Sequence, residues 1–243
     1  MLHLAHKIRG ATIRATDGEI GTLEDFYFEE DRWTVRYLLV DTGKWFSGKR
    51  VLVSPMSVQG AWSRAEIPVG LTKSQVWNSP QIDWQNPLSR GAEAEVLQYY
   101  GQPWYWTGGG IWGAFENPAA LVAQPATPPH PEGPVIDVEK HHLRSINQST
   151  GYHIHAKDGE VGHVDDFLIG QESWRIRYLL VDTSNWIGGK SVVVSTDGVE
   201  HMDRQRGTLR VAATRDEIKH SRPFDSIEDA VGAAEIGPAF VLI

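Results

Sequence analysis

The sequence predicts a mainly β protein built from two small antiparallel barrels that arose by internal duplication. The first observation is a stretch that occurs twice, as WTVRYLLVDT in residues 33–42 and as WRIRYLLVDT in residues 174–183. The second is its extent, because residues 17–54 and 158–195 are identical at 20 of 38 positions without a gap. The third is composition, since a β-branched and aromatic run of this kind favours a buried strand. Duplication is therefore the strongest signal in the chain.

The duplication divides the 243 residues into two barrels, each followed by a shorter segment. We expect the first barrel in residues 1–83 and a helix with a Trp, Gly and Pro-rich linker in residues 84–136. The second barrel is expected in residues 137–225, and a C-terminal helix with an apolar tail in residues 226–243. Two units of this size are each long enough to bury a modest core. The chain contains no cysteine, so disulfides and thiolate metal sites are excluded.

Each copy begins with the pattern of a β-hairpin. The sequences ATIRATDGEIG (11–21) and YHIHAKDGEVG (152–162) centre on Asp-Gly, a dipeptide that suits a two-residue turn. Gly21 and Gly162 stand where the apolar alternation breaks. A β-bulge or sharp bend is predicted at both glycines, as closing a small barrel requires.

The repeated strand is apolar on both faces. Tyr37 and Leu39 alternate with Leu38 and Val40, and the second copy repeats this pattern. Both faces must therefore be covered, and we expect the other barrel and the Trp-rich linker to provide the cover. Packing of the two barrels against each other within the chain follows from this expectation.

The loops after the repeated strands resemble each other and carry a tryptophan. TGKWFSGK (42–49) contains Trp45, and TSNWIGGK (183–190) contains Trp186. The Gly-Lys pair does not indicate a nucleotide-binding loop, because a strand follows it where that motif requires Ser or Thr and a helix. We interpret both segments as loops with an aromatic lid.

Each copy ends in a short helical turn. LTKSQVWNSPQID and ATRDEIKHSRPFD place Thr72 and Thr214 as N-caps, and Pro80 and Pro223 forbid continuation of the helix.

The linker is predicted to begin with a helix over residues 89–101. Ser89 is its N-cap, Gly101 its stop, and Val96, Leu97 and Tyr100 form its apolar stripe.

Aromatic residues and glycines follow this helix in QPWYWTGGGIWGAF. This segment either binds a partner or lies on a barrel and covers its apolar surface. As a candidate interaction surface we take six aromatic residues from this segment and the two loops: Trp104, Tyr105, Trp106, Trp112, Trp45 and Trp186.

The histidines and paired acids do not form a recognisable catalytic or metal site. The densest histidine group comprises His141, His142, His153, His155 and His163. With a turn at Asp158-Gly159, residue 154 pairs with residue 163, so His153 and His155 face away from His163 unless the predicted bulge changes the register. No metal site and no cofactor is therefore expected.

The acid pairs Glu24-Asp25 and Asp165-Asp166 occur in both copies, and adjacent strand residues point to opposite faces. A hydrogen-bonded strand carboxylate is the commoner explanation for such residues. The GxSxG, HExxH and GxGxxG motifs are all absent. We therefore expect no catalytic residues and no enzyme.

Charge and hydropathy limit the partners. The net charge is −8, and basic residues are interleaved with acidic ones, which disfavours nucleic-acid binding. No apolar run has the length of a membrane span, and a cytoplasmic location is expected.

The order of motifs resembles the PRC-barrel domain, named for the cytoplasmic part of the H protein of the photosynthetic reaction centre. The resemblance rests on DGExG, an apolar segment ending in Asp-Phe, Trp-x-[VI]-Arg-Tyr-Leu-Leu-Val-Asp-Thr, and Trp with Gly-Lys before a Val-rich strand. It covers residues 5–83 and 140–225, and VLQYYGQPWYW resembles the segment that follows the barrel in tandem bacterial members. The resemblance implies a small, mostly antiparallel β-barrel that binds or scaffolds other proteins, with no catalytic residues to transfer.

Three functional hypotheses remain at this point. The main one is a non-enzymatic interaction, scaffolding or regulatory module whose protein partner is unidentified, with a homodimer possible. One alternative is a regulatory component linked to photosynthetic electron transfer, by analogy with the photosynthetic reaction-centre protein that gives the domain its name. The other is a barrel protein associated with ribosomes or RNA processing.

Overall fold

The computed structural model describes residues 1–43, 48–80, 82, 89–124, 143–183, 190–221, 223–224 and 226–227. The chain divides into two compact units. One contains Ile8–Ser145 with Glu172–Trp174, and the other contains Met1–Lys7, Ile146–Gln171 and Arg175–Ile243. We call them the first-copy unit and the second-copy unit, after the copy that supplies most of each.

The described residues are mainly β, with short helices between the strands. The strands are β1 (Leu2–Leu4), β2 (Thr12–Ala15), β3 (Gly18–Glu29), β4 (Thr34–Asp41), β5 (Arg50–Val53), β6 (Glu66–Pro68), β7 (Leu143–Ser145), β8 (His153–Ala156), β9 (Gly159–Gly170), β10 (Ile176–Asp182), β11 (Ser191–Ser195), β12 (Val199–Asp203) and β13 (Thr208–Val211). The helices are α1 (Ala5–Ile8), α2 (Lys73–Trp77), α3 (Arg90–Tyr99), α4 (Pro118–Val122), α5 (Ile146–Ser149) and α6 (Arg215–His220).

Each unit contains one mixed sheet. The order is β5-β4-β3-β2-β6 in the first-copy unit and β11-β10-β9-β8-β13-β12 in the second-copy unit. The pairs β2–β6 and β8–β13 are parallel, and the other strand pairs are antiparallel. Both sheets are therefore mixed, with one parallel pair each, and closure of either sheet into an antiparallel barrel stays a prediction. In the second-copy unit the strand that returns beside β8 is β13, which follows β12 through an antiparallel hairpin.

The short strand that precedes each copy pairs with a strand of the other copy. β1 pairs with β9, with Leu4 opposite Leu168, whereas β7 pairs with β3, with Ser145 opposite Tyr27. The twelve-residue strands β3 and β9 are long enough to pair with a hairpin partner at one end and with this short strand at the other. Each unit therefore includes one short strand from outside the copy that supplies most of it, and the domain limits of 1–83 and 137–225 stay a prediction.

The repeated strand is an inner strand of its sheet in both copies, next to the edge strand. β4 pairs with β3 and β5, and β10 pairs with β9 and β11. Val35, Tyr37, Leu38 and Val40 are fully buried. Apolar burial on both faces of this strand therefore makes it the main contributor to each core.

The predicted bulges are confirmed at the two equivalent bends of the hairpins. Gly21 has φ +150° and Gly162 has φ +145°, and the pairing register shifts beside each glycine. A Cβ at Gly21 would lie 2.1 Å from the Asp41 carbonyl oxygen, and one at Gly162 would lie 2.0 Å from the Asp182 carbonyl oxygen. Only glycine permits this close approach of two backbones.

The helical turns that end the copies are also confirmed. Thr72 and Thr214 each accept a hydrogen bond from the third backbone N–H of their helix, which completes a capping box. The Asp17 carboxylate accepts from the Lys73 backbone N–H at 2.8 Å, and the Asp158 carboxylate accepts from the Arg215 backbone N–H at 2.7 Å. The hairpin turn therefore fixes the helix in both units.

Candidate functional site

A group of charged and aromatic side chains is buried in the first-copy unit, where the linker lies on strands β3 and β4. Its members come from β3, β4, α3 and the aromatic segment of residues 102–115: Glu29, Arg36, Tyr37, Arg90, Glu93, Tyr105, Trp106 and Trp112. We call this group the buried cluster. Arg36 and Glu93 are both 0% exposed, so their charges must be balanced by neighbours.

Glu29 lies between two arginines. Arg36 donates from Nε at 3.1 Å and from Nη2 at 2.5 Å to Glu29 Oε2. Arg90 Nη2 donates to the other oxygen, Oε1, at 3.2 Å. The carboxylate thus joins a strand arginine to the first residue of the linker helix.

Glu93 and Tyr105 extend the network on the helix side. Arg90 Nη1 donates to the Tyr105 hydroxyl at 2.7 Å and lies 3.3 Å from Glu93 Oε1. The Tyr105 hydroxyl in turn donates to Glu93 Oε2. Four ionisable side chains and one phenol therefore form a continuous polar chain inside an apolar interface.

Aromatic rings cover the flat faces of both guanidinium groups. The Cζ atom of Arg36 lies 4.0 Å from the centroid of the Tyr105 ring and 4.6 Å from that of Trp112. Arg90 Cζ lies 4.6 Å from the centroid of Trp106. Because these contacts are desolvated, cation–π attraction offsets part of the cost of burying the arginines.

Local structure explains why Arg36 points into the cluster. Tyr27 pairs with Tyr37 but Phe28 pairs with Val35, so Arg36 is the extra residue of a β-bulge. A bulge places two consecutive side chains on one side of the strand, which brings Arg36 and Tyr37 together beneath the linker.

The linker helix begins and ends where the sequence predicts. Ser89 accepts from the Ala92 N–H at 3.2 Å, and Val96 and Leu97 are buried. Arg90 and Glu93 lie on the same buried face, which the apolar stripe alone did not indicate. Their spacing of three residues, continued to Val96 and Leu97, is the signal that could have identified them.

The aromatic segment forms a tight loop held to the first-copy unit. The Trp112 backbone N–H donates to the Phe115 carbonyl at 2.7 Å, and the Gly113 N–H donates to the Tyr105 carbonyl at 2.7 Å. Arg32 donates to the Gly110 carbonyl, and Trp112 Nε1 donates to the Ser173 carbonyl at 2.7 Å. The loop is therefore fixed by backbone as well as side-chain contacts.

The pKa values of the two acids in the buried cluster are shifted in opposite directions by their surroundings. Burial alone would raise the pKa of Glu29, but the charges and hydrogen bonds of Arg36 and Arg90 hold it below its ordinary value. Burial raises the pKa of Glu93 to about 7 against the opposing charge of Arg90. Burial, and next the Glu93 charge, raise the pKa values of Tyr37 and Tyr105. The arrangement can hold a proton on Glu93 near neutral pH.

The proposed aromatic surface residues occupy different environments. Tyr105 and Trp112 are fully buried in the cluster, whereas Trp104 and Trp106 are half-buried and stack at a centroid distance of 5.5 Å. Trp45 and Trp186 lie outside the described residues. Tyr105 and Trp112 cover the Arg36 guanidinium group, and the interaction surface formed by the six aromatic residues stays a prediction.

The histidines pair differently from the prediction. His153 is the direct cross-strand partner of His163, because Ala156 pairs with Gly159 and a register shift follows Ile154. The predicted register, with His153 facing away from His163, is wrong because the bulge after Ile154 adds one residue on β9 and so reverses which side chains share a face. The turn lies one residue earlier than predicted, but that change alone would have left His153 and His163 on opposite faces. His153 Nδ1 contacts Glu160 Oε1 at 2.7 Å. His141 and His142 lie outside the described residues.

The acids Asp25 and Asp166 are buried and hydrogen-bonded. Asp25 accepts from the Ser145 hydroxyl and from the Phe26 backbone N–H at 2.8 Å. Asp166 accepts from the His6 backbone N–H at 3.3 Å and contacts His6 Nδ1 at 2.6 Å. Burial raises the pKa of Asp166 despite these partners. Asp25 thus holds the end of β7, and Asp166 holds α1, the helix that follows β1.

These features define a duplicated, mainly β protein in which both copies share one strand order and the repeated strand lies inside each sheet. A family model for the PRC-barrel domain matches residues 2–60 and 154–218, which together are half of the chain. The chain therefore belongs to the PRC-barrel domain family, as the resemblance indicated. None of the curated proteins matches it. Within the described ranges, no helix is long and apolar enough to cross a membrane.

Proposed function

We propose that this chain is a non-enzymatic tandem PRC-barrel protein that acts as a protein-interaction or scaffolding module. The proposal includes closure of each sheet into a small barrel, which the family match and the bends at Gly21 and Gly162 support. The observation that supports a non-enzymatic role is that the buried acids are bonded to other parts of the fold. Asp25, Asp166, Glu29 and Glu93 all engage neighbouring elements of the fold.

Exposed aromatic residues supply a surface for a protein partner. Trp77 on α2 is 48% exposed and Tyr99 on α3 is 39% exposed. The Tyr99 hydroxyl donates to the Gln75 carbonyl at 2.8 Å, which ties α3 to α2. Trp and Tyr contribute a large share of binding energy in protein interfaces, so these two helices form the surface that we expect a partner to bury.

Affinity capture with matched surface variants tests the proposal. The wild-type chain, Trp77→Ala, Tyr99→Ala and Val122→Ala serve as four baits in cross-linked extracts of the native cells. Val122 is a suitable control because it is 44% exposed and apolar but lies on α4. We expect one protein to be recovered with the wild-type chain and Val122→Ala and to be depleted with both aromatic variants.

The captured protein also separates the hypotheses. Reaction-centre or electron-transfer proteins would support the photosynthetic alternative, and ribosomal proteins would support the ribosome-associated one. Equal recovery with all four baits would remove the α2 and α3 surface as the binding site. Recovery of no protein above background would contradict the interaction function itself.

A further inference from the structure

One face of the second-copy sheet carries six apolar side chains that are almost completely shielded from solvent. They are Leu2 and Leu4 of β1, Leu168 of β9, Tyr178 and Leu180 of β10, and Val193 of β11. We call them the apolar face. Each is 9% exposed or less, so other parts of the chain must cover the face.

The described part of the cover comes from the segment that follows the second copy. Phe224 and Ile227 both pack against the apolar face. Pro223 forms a β-bridge with Val192, and the Phe224 N–H donates to the Ser191 carbonyl at 2.8 Å. These contacts direct the chain from the edge strand β11 onto the face just before residue 228.

In the first-copy unit, too, the segment that follows the copy lies on the sheet of that copy. The offset of 141 relates Leu39 to Leu180 and Leu52 to Val193, and both first-copy residues are buried. Tyr105 and Trp112, from the segment that follows the first copy, lie over the guanidinium group of Arg36, the neighbour of Tyr37 on β4, and Tyr37 is the equivalent of Tyr178. A trailing segment folded back over its own copy is therefore a pattern that the chain already uses once.

We propose that residues 228–243 complete the cover of the apolar face, so that the C-terminal tail of the chain is its occupant. The sequence fits this role, because Val231 and Ala234 follow Ile227 at spacings of four and seven and continue its face of a helix. The chain then ends in the apolar run PAFVLI. This assignment is independent of the proposed external partner, which concerns the α2 and α3 surface of the first-copy unit.

Paired cysteines test the position of the tail directly, because the chain contains none of its own. A single cysteine at residue 240, 241 or 242 is combined with Val193→Cys and treated with a short thiol-reactive cross-linker. The matched control combines the same tail cysteines with Leu52→Cys, the equivalent position in the first copy. We expect a cross-link within one chain at residue 193 and a much weaker one at residue 52.

Three results of this experiment would overturn the proposal. Cross-links that form only between two chains would make a second copy the occupant, and equal cross-linking at residues 193 and 52 would show that the tail has no preferred site. Absence of cross-linking at residue 193 for all three tail positions would also exclude the tail from the face.

A truncated chain that ends at Ile227 provides a second test with a different readout. Removing the cover exposes the apolar face, so binding of a hydrophobic fluorescent dye rises, and a synthetic peptide of residues 228–243 reverses the rise. The variant Phe240→Ser with Val241→Ser keeps the full length and should behave like the truncated chain. Unchanged dye binding in a folded truncated chain contradicts the proposal, and if that chain does not fold, the cross-linking result decides.

Discussion

Arg36 and Arg177 occupy equivalent positions in the two copies, but only Arg36 is buried. Both are the extra residue of a β-bulge in the repeated strand, β4 or β10. Arg36 is 0% exposed and contacts Glu29, whereas Arg177 is exposed and the residue equivalent to Glu29 is Gly170. The same strand motif therefore gives a buried or a solvated arginine according to its strand neighbour and the segment that follows.

This contrast shows where the two copies have diverged. The repeated strands, the glycine bends and the helix caps are the same in both copies, because each sheet needs them to form. The covers differ, since the first copy uses a polar and aromatic network and the second uses an apolar face with Phe224 and Ile227. The differences that change the environment of the arginine are therefore its strand neighbour, Glu29 or Gly170, and the segment that lies on the sheet.

Replacing the equivalent arginines should produce the largest difference between the copies. Arg36→Ala leaves Glu29 buried with one partner fewer, and removing one partner of a buried ion pair costs about 3–5 kcal/mol. Arg177→Ala changes an exposed residue and should stay within about 0.5 kcal/mol of the wild-type chain. Hydrogen exchange of β4 and β10 peptides in increasing urea measures the stability of each unit separately. Similar losses in both variants would show that burial of Arg36 is energetically unimportant.

The pH dependence of stability should also distinguish the first-copy unit through Glu93. Its pKa of about 7 in the folded chain lies above the ordinary value of 4.5, so the folded state binds this proton more tightly than the unfolded state. The contribution of Glu93 is therefore fully present below pH 4.5 and is lost as the pH rises toward about 7. The slope in this window approaches about 1.4 kcal/mol per pH unit.

Glu93→Gln is the variant that isolates this effect. It cannot titrate, so the stability difference between variant and wild-type chain should change across that pH window and become constant above it. Denaturant unfolding at a series of pH values, followed on β4 peptides, checks the expectation. The pH dependence of stability has the opposite sign for Glu29. Because its pKa is lowered, the stability that Glu29 contributes is lost only as the pH falls below the ordinary carboxylate range. A constant difference at all pH values would contradict the assignment of the proton to Glu93.

The glycine bends should respond equally in the two copies. Gly21→Ala and Gly162→Ala each place a Cβ against a backbone carbonyl in a conformation with positive φ. Such strain costs about 1–3 kcal/mol per site, and the carbonyl contact adds to it. Local hydrogen exchange around β2 and β8 measures the loss. A neutral result in one copy alone would mean that the two bends are not equivalent.

The sequence predicts the parts of the fold that depend on neighbouring residues. The Thr72, Thr214 and Ser89 caps and the bends at Gly21 and Gly162 all follow from local chemistry and occur as expected. The turn and register of the hairpin were predicted less well, because one bulge residue changes which side chains share a face.

Long-range partners could not be predicted in the same way. Arg90 meets Glu29 from 61 residues away, and this contact exists only because the linker folds back on β3. The pairing of β1 and β7 with the sheet of the other copy could not be predicted either. A three-residue strand such as β1 carries too little pattern to indicate which of two similar sheets it joins.

The helix caps should give the smallest effect and the closest agreement between copies. Thr72→Ala removes the acceptor for the Gln75 N–H at 3.2 Å, and Thr214→Ala removes the acceptor for the Glu217 N–H at 3.3 Å. Loss of a threonine N-cap costs about 1 kcal/mol. Thr72→Ser and Thr214→Ser keep the hydroxyl and should recover most of this loss in the same denaturant experiment. If Thr214→Ala costs clearly more than Thr72→Ala, α6 supports more than its own helix, and the segment from Pro223 onto the apolar face is the element it would position.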